Sequence, residues 1–285
     1  MESPTCIEPT GVSISGITTG GASVSFTPPT VLPGSGYQVY YSTTNTAPTA
    51  STVLDATNSV TAPASPATLT GLNPATTYYV WVRSDCGAGN LSMWSVSSSF
   101  TTSCVLVTEF SENFNATAVN ALPSCWAKLT TGASANAYVQ ASTAMSSPNA
   151  LYVYGDSSSS NVYVTMPQVS TLSSGNYRLR FKARANFTAG GILEIGYMSN
   201  PTDHTTFTAL GTYTSSSTTA IDNYSLNITG VPAGITTLAL RHTGAPAYSI
   251  LVDDVIYEPV PGCGDVTALT ASNPTLNGAD LMWTA

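Results

Sequence analysis

Leu72-Asn-Pro-Ala-Thr-Thr-Tyr-Tyr-Val-Trp-Val82 is a turn that runs directly into a strand. Asn73 and Pro74 punctuate the chain, and Tyr78-Tyr-Val-Trp-Val82 is a run of β-branched and aromatic side chains. The same unit recurs outward on both sides, as Ala22-Ser-Val-Ser-Phe26, Tyr37-Gln-Val-Tyr-Tyr41, Ala67-Thr-Leu69 and Ser97-Ser-Ser-Phe-Thr101. Short β-rich runs at this spacing over residues 10–103 predict a sandwich of about seven strands.

Composition extends that reading to the whole chain. Only 8% of the 285 residues are charged while 42% are hydrophobic. Disordered chains are richer in charge and poorer in Val, Ile, Tyr and Phe, so an all-β protein of about two domains is expected. The net charge is −8, and Lys128 and Lys182 are its only lysines. No basic surface is large enough to neutralise a phosphate backbone, which excludes nucleic acid as a partner. Met1-Glu2-Ser3 lacks the start of a signal peptide, and no apolar run approaches the ~20 residues that span a bilayer. Membrane insertion by this segment is not expected; an export signal or anchor would lie outside it. The five cysteines include no C-x-x-C or C-x-x-H spacing. That suits disulfides in an exported, extracellular protein better than zinc.

The Leu72–Val82 stretch resembles the fibronectin type III pattern L-x-P-x-T-x-Y-x-V-x-V. The resemblance implies that Leu72 enters the core, Pro74 shapes the corner and Tyr78 ties that corner to the backbone through its hydroxyl. Phe26-Thr-Pro-Pro29 stands at the second-strand aromatic of that family, and Ser92-Met-Trp-Ser95 and Phe100-Thr-Thr102 resemble the start and end of its last strand. In the implied topology the start of the first strand and the end of the sixth share a pole, which places Cys6 beside Cys86. Such modules are mostly spacers, and no Arg-Gly-Asp tripeptide occurs. Residues 1–103 are therefore read as a fibronectin type III (Ig-like) sandwich.

The end of the chain repeats its beginning. Cys263–Ala285 aligns without a gap onto Cys6–Pro28, with Thr10 on Thr267, Val12 on Leu269, Val24 on Leu281, Phe26 on Trp283 and Thr27 on Thr284. Residues 261–285 then read as the truncated start of the next type III repeat. An odd number of cysteines follows if Cys263 pairs with a residue of that next copy.

Residues 104–260 remain strand-rich, with hairpin signals at Ala189-Gly-Gly191 and Val231-Pro-Ala-Gly234, and suit a larger jelly-roll β-sandwich. Pairing Arg184 with Glu194 across the first signal puts Phe181 opposite Tyr197 and Ala183 opposite Ile195. Tyr177, Leu179, Phe181, Leu193, Ile195 and Tyr197 then share a buried face. Arg178, Arg180, Lys182 and Arg184 occupy the other, either as a solvated face partly neutralised by Glu194 or as a polyanion-binding stripe. Phe110-Ser-Glu-Asn-Phe-Asn115, Leu122-Pro-Ser-Cys-Trp126 and Ile250-Leu-Val-Asp-Asp-Val-Ile-Tyr257 resemble the MAM-like and choice-of-anchor jelly-roll domains of bacterial surface proteins, and more distantly jelly-roll carbohydrate-binding modules. In those families first and last strands lie side by side, and their acidic residues often meet at calcium. The resemblance implies Ca2+ ligation by Glu112 and Asp253, with Asp254 and Asn115 as secondary ligands. The alternative is that the two aspartates cap turns and strand-edge amides without metal. Cys104 and Cys125, both near the entry of this domain, are expected to bridge.

Catalytic patterns are missing: there is no phosphate loop, G-x-S-x-G or H-E-x-x-H. His204 and His242 each stand in a polar stretch of the kind usually exposed. Asp253 and Asp254 are adjacent on an expected strand, so their side chains should point to opposite faces and cannot flank one glycosidic bond. Tyr152, Tyr154 and Tyr163 alternate with core positions Leu151, Val153, Val162 and Val164, which suits either ordinary packing or a platform for pyranose rings. The overall reading is a non-enzymatic repeat segment of a large exported bacterial cell-surface adhesin or filament. It resembles the adhesins of gliding, type IX-secreting bacteria, which implies attachment to surfaces or polysaccharide through tandem modules, with neighbouring repeats and glycans as partners. The alternative is an accessory carbohydrate-binding region of a secreted polysaccharide-degrading enzyme.

Overall fold

The computed structural model describes residues 6–49, 51–142, 145–262 and 267–284. The chain is all-β and forms two compact units, the first ending at Val105 and the second beginning at Leu106.

In the first unit β1 (Thr10–Ser15), β2 (Gly21–Thr27) and β5 (Ala67–Thr70) make one antiparallel sheet. The facing sheet has the order β4 (Ser59–Ala62), β3 (Tyr37–Ser42), β6 (Thr77–Ser84), β7 (Ser98–Thr101). Alternation does the sorting: Ala22, Val24 and Phe26 of β2 and Tyr37, Val39 and Tyr41 of β3 point inward and are buried. Fully burying side chains of this size stabilises by about 1.5–3 kcal/mol each before entropy is charged against it. Leu72 is buried, and the Tyr78 hydroxyl accepts a hydrogen bond from the Asn73 amide at 3.0 Å, which pins the corner. Cys6 is bonded to Cys86 across 80 residues, with Cα atoms 6.0 Å apart. Next to the bridge the Ser84 hydroxyl donates to the Ile7 carbonyl at 2.7 Å.

The last strand is shorter than its resemblance implies. Residues 92–95 run beside β6 without forming a regular strand, because serine hydroxyls take part of the ladder. Ser84 N donates to Ser92 Oγ at 2.8 Å and Val82 N to Ser95 Oγ at 3.0 Å. Trp94, between them, lies under the Arg83 guanidinium, 4.4 Å from the ring centre.

The second unit is a larger sandwich of two antiparallel sheets. One has the order β10 (Asn136–Ala141), β11 (Asn149–Tyr154), β18 (Ile250–Pro259), β13 (Tyr177–Ala185), β16 (Asp222–Ile228), with β8 (Phe110–Glu112) also on β18. The other has the order β15 (Phe207–Thr214), β14 (Ile192–Met198), β17 (Thr237–His242), β12 (Val162–Thr165), β9 (Ala127–Thr130). First and last sandwich strands pair as the resemblance implied, with Glu112 opposite Val255. Phe114, Trp126, Leu151, Val164, Leu179, Phe181, Leu193, Ile195, Leu240 and Tyr257 fill the space between the sheets.

Both hairpin signals in this unit mark crossovers instead. β13 and β14 lie in different sheets, as do β16 and β17, so Arg184 does not pair with Glu194. Phe181 and Ile195 do share a core, but from its two opposite walls. Two strands that bury the same face of a sandwich carry the same alternation whether they are neighbours or face each other. Glu194 instead pairs with Arg241, directly opposite it on β17.

β19 (Thr267–Thr275) and β20 (Gly278–Thr284) form a two-stranded sheet of their own. Thr267 pairs with Thr284, Thr270 with Met282, Ala271 with Leu281 and Ser272 with Asp280. Subtracting 257 from each number returns the pairs of β1 and β2: Thr10 with Thr27, Ser13 with Ser25, Ile14 with Val24 and Ser15 with Ser23. Both hairpins have a register shift after the first pair, after Thr10 and after Thr267, and β19–β20 has a second between Ser272 and Thr275. Cys263 and its expected pairing lie outside the described residues.

Candidate functional site

The outer surface of the six-stranded sheet holds two features that polar ligands use. The first is a tyrosine strip. Alternation turns Leu151 and Val153 of β11 into the core and Tyr152 and Tyr154 outward. On β10 Tyr138 stands directly opposite Tyr152. Ring centres are 4.9 Å apart for Tyr138 and Tyr152 and 6.3 Å for Tyr152 and Tyr154, with planes tilted by 33° and 32°. All three rings are half-buried, which leaves part of each available to solvent.

Tyr163 does not belong to the strip. It points outward as its parity requires, but from β12 in the other sheet, and is only 4% exposed. His204 and Phe207 pack on its ring, each with centroids at 5.6 Å, and Arg241 approaches to 5.9 Å. Tyr138 takes the place that sequence had given to Tyr163; the signal was available in Ala137-Tyr-Val139, the same alternation on the preceding strand.

The second feature is a bulge in β18. Arg180 pairs with Ile256 and Lys182 with Asp253, so one residue of β13 faces two of β18. Asp254 takes up the extra length with φ 47°, in the left-handed region. The core pattern shows the phase slip: Ile250 and Val252 before the bulge, Val255 and Tyr257 after it. As a consequence Asp253 and Asp254 do not point to opposite faces. Both reach Ser146, whose Oγ lies 2.8 Å from Asp253 Oδ2 and 2.9 Å from Asp254 Oδ1. Asp253 is fully buried, and desolvation raises its carboxyl to about 6.

The expected calcium ligands were tested against these contacts. Asp253 Oδ1 accepts from the Asp254 amide at 2.8 Å, and Asp254 Oδ2 meets the Lys182 ammonium at 2.8 Å. Glu112 Oε1 accepts from the Phe114 amide at 2.6 Å and Asn115 Oδ1 from the Asn149 amide at 3.1 Å. At least one oxygen of each of these side chains is thus engaged by a donor, and the cation already present is an ammonium. Among the described residues no group of three or more His, Cys, Asp or Glu side chains is placed to hold a metal. As placed, the set does not fit a calcium cage. Cys104 and Cys125 are both disulfide-bonded.

At the bulge the edge of β18 changes partner, from β11 at residues 250–252 to β8 at residues 255–257. The opening is a groove of about 590 Å³ lined by Glu112, Arg180, Lys182, Asn223, Ser225 and Asp254, among others. The four cations of β13 are not a free stripe. Arg178 and Arg180 both reach Glu258, at 2.9 and 2.7 Å, Lys182 reaches Asp254, and Arg184 donates to the Thr218 carbonyl.

His242 also departs from expectation. It is fully buried, accepts hydrogen bonds at Nδ1 from the Gly155 amide at 3.1 Å and the Gly244 amide at 3.0 Å, and donates from Nε2 to the Tyr248 carbonyl at 2.8 Å. Burial lowers its pKa. Gly155 has no room for a side chain, because a Cβ there would lie 2.7 Å from the Ser160 carbonyl oxygen. This imidazole is a structural staple, and His204 is exposed.

Residues 8–101 match the fibronectin type III domain. The type III unit therefore accounts for the first sandwich, and the tyrosine strip and groove belong to the second. Among solved structures the chain resembles the K2 cleaved adhesin domain of Lys-gingipain at 16% identity, over 53% of this chain and 99% of that one, with a TM-score of 0.44. The K1 cleaved adhesin domain of Lys-gingipain from Porphyromonas gingivalis W83 gives 17% identity, 54% and 99% coverage and a TM-score of 0.43. The CBM22-1–GH10 modules of Clostridium thermocellum xylanase 10B, complexed with xylohexaose, give 13% identity, 53% and 28% coverage and a TM-score of 0.39. No curated protein matches the chain in sequence. These likenesses are remote, and function is read from this chain's own residues.

Proposed function

We propose that this chain is a non-enzymatic segment of an exported bacterial cell-surface adhesin, in which type III spacers carry larger sandwiches that hold polysaccharide. The observation that carries the reading is the Tyr138–Tyr152–Tyr154 strip. Three partly buried rings in nearly continuous succession on one sheet face offer the apolar faces on which pyranose rings stack. The Cys6–Cys86 bridge suits an oxidising, extracellular setting. The two hairpins, which share four pairs at an offset of 257 residues, favour a tandem array over an accessory region beside a single catalytic domain. Tandem copies raise avidity by ~10²–10⁴ over one weak site when geometry lets them engage together. The paired carboxylates Asp253 and Asp254 share one serine and one side of the bulge, which does not provide the opposed acid and base of a glycosidase.

Affinity electrophoresis of the full chain in gels containing neutral polysaccharides tests this directly. Retardation by at least one polymer is expected, with loss of that retardation in the triple variant Tyr138→Ala, Tyr152→Ala, Tyr154→Ala. Unretarded migration of the unmutated chain across the whole panel would sink the polysaccharide reading.

A further inference from the structure

The groove at the β18 bulge is a site the tyrosine strip does not explain. It lies across four strands of one sheet, β8, β18, β13 and β16, in registered rows. Ser111, Ile256, Arg180 and Ser225 stand in one row; beyond it Lys182 stands opposite Asn223, and the bulged Asp254 brings its carboxylate to the Lys182 ammonium. Strands about 4.8 Å apart place these side chains side by side along the groove floor. The bulge is what makes it a groove: it bends β18, turns Asp254 outward and leaves room where β11 gives way to β8.

Its charges cancel. Arg180 is paired with Glu258 at 2.7 Å and Lys182 with Asp254 at 2.8 Å, and the lining adds the carboxylate of Glu112. A neutralised surface has little field with which to collect a polyanion. What it does offer is a donor and an acceptor fixed side by side, with the Asn223 amide and the Ser225 hydroxyl exposed directly across from Lys182 and Arg180. One hydroxyl both donates and accepts, so neighbouring hydroxyls bridge an ammonium and a carboxylate without a change of charge.

We infer that this groove binds the vicinal hydroxyls of an uncharged polysaccharide, as a second subsite on the sheet face that carries the tyrosine strip. The inference rests on the polysaccharide reading above and adds a ligand class: neutral sugar chains, in preference to sulfated or uronate-bearing ones.

The test uses the full chain, immobilised neutral glucan, mannan, galactan and xylan, and heparin and polygalacturonate as charged probes. Asn223→Ala with Ser225→Ala changes only exposed positions, and Lys182→Met removes the donor of the ion pair. Circular dichroism and melting establish that each variant is folded, and the double variant carries the test if Lys182→Met fails that check. Expected is a loss of neutral-polymer affinity of about tenfold in the groove variants, as for losing one or two hydrogen bonds to the ligand. Groove variants that bind like the unmutated chain, while the triple tyrosine variant does not bind, overturn the groove and leave the polysaccharide reading intact. Failure of the unmutated chain on every neutral polymer removes both. Salt-sensitive binding to heparin or polygalacturonate alone replaces the neutral ligand with a polyanion.

Discussion

β1–β2 and β19–β20 are one hairpin in two surroundings. Four pairs coincide after an offset of 257 residues, including the site of the first register shift. Their burial does not coincide. Val24 and Phe26 are 0% and 5% exposed, whereas their counterparts Leu281 and Trp283 are each 56% exposed. Register is therefore set by the hairpin's own residues, through turn length and the alternation of side chains. Burial is set by what lies across from it: β2 has β5 at its edge and the β3–β6 sheet over its apolar face, whereas among the described residues β20 pairs with β19 alone. A two-stranded hairpin without a packed face is at best marginally stable in water.

The comparison breaks or holds most visibly in paired truncations. Phe26→Ala should destabilise the type III unit by about 3–5 kcal/mol, as for removal of a buried aromatic. Trp283→Ala, at the equivalent position, should stay within about 0.5 kcal/mol. Calorimetry combined with regional hydrogen exchange reads both, and equal losses would mean that Trp283 is buried in solution.

A smaller effect is expected from the covalent anchor beside β1. Cys6→Ser with Cys86→Ser should cost the type III unit about 2–4 kcal/mol, through the long loop the bridge closes. Denaturant midpoints followed by exchange of β2 and β6 peptides check the figure. Protection in β19–β20 should be unaltered.

Acidification gives the smallest contrast and a sign that is fixed in advance. His242 has its pKa lowered by burial, so its contribution is complete above the ordinary value of 6.5 and is lost as pH falls through the lowered one. Asp253, raised from 3.8 to about 6 by desolvation, has the opposite sense: its contribution is complete below 3.8 and is lost as pH rises through about 6. Between pH 7 and 5 the two oppose each other. Asp253→Asn should therefore make β17 peptides lose more protection on acidification than they do in the unmutated chain. A variant that loses less than the unmutated chain would reverse the assignment of the buried groups.

Legibility in the sequence followed the range of the interaction. Leu72, Pro74 and Tyr78 were readable because a corner is specified within a few residues. The Cys6–Cys86 bridge followed from the topology those residues imply. Tyr152 and Tyr154 were readable as an outward face from parity alone. Tyr163 had the same parity, but only the tertiary fold sends β12 to the other sheet and lays Phe207 over it. The aspartates failed for a related reason. Adjacent residues on a regular strand diverge, and a single left-handed residue at Asp254 cancels that rule; the slip from Ile250 and Val252 to Val255 and Tyr257 was the visible trace of it.

By itself the sequence determined the all-β class, the type III corner, the outward and inward faces of regular strands such as β11, and the recurrence of the opening hairpin at the end of the chain. These depend on turn chemistry and on a period of two, which near neighbours enforce. Only the tertiary structure decided which sheet each strand joins, which face stays open and which ionisable groups lose their water. Those outcomes come from contacts between residues far apart in the chain, and one alternation satisfies several such arrangements until the whole core is packed.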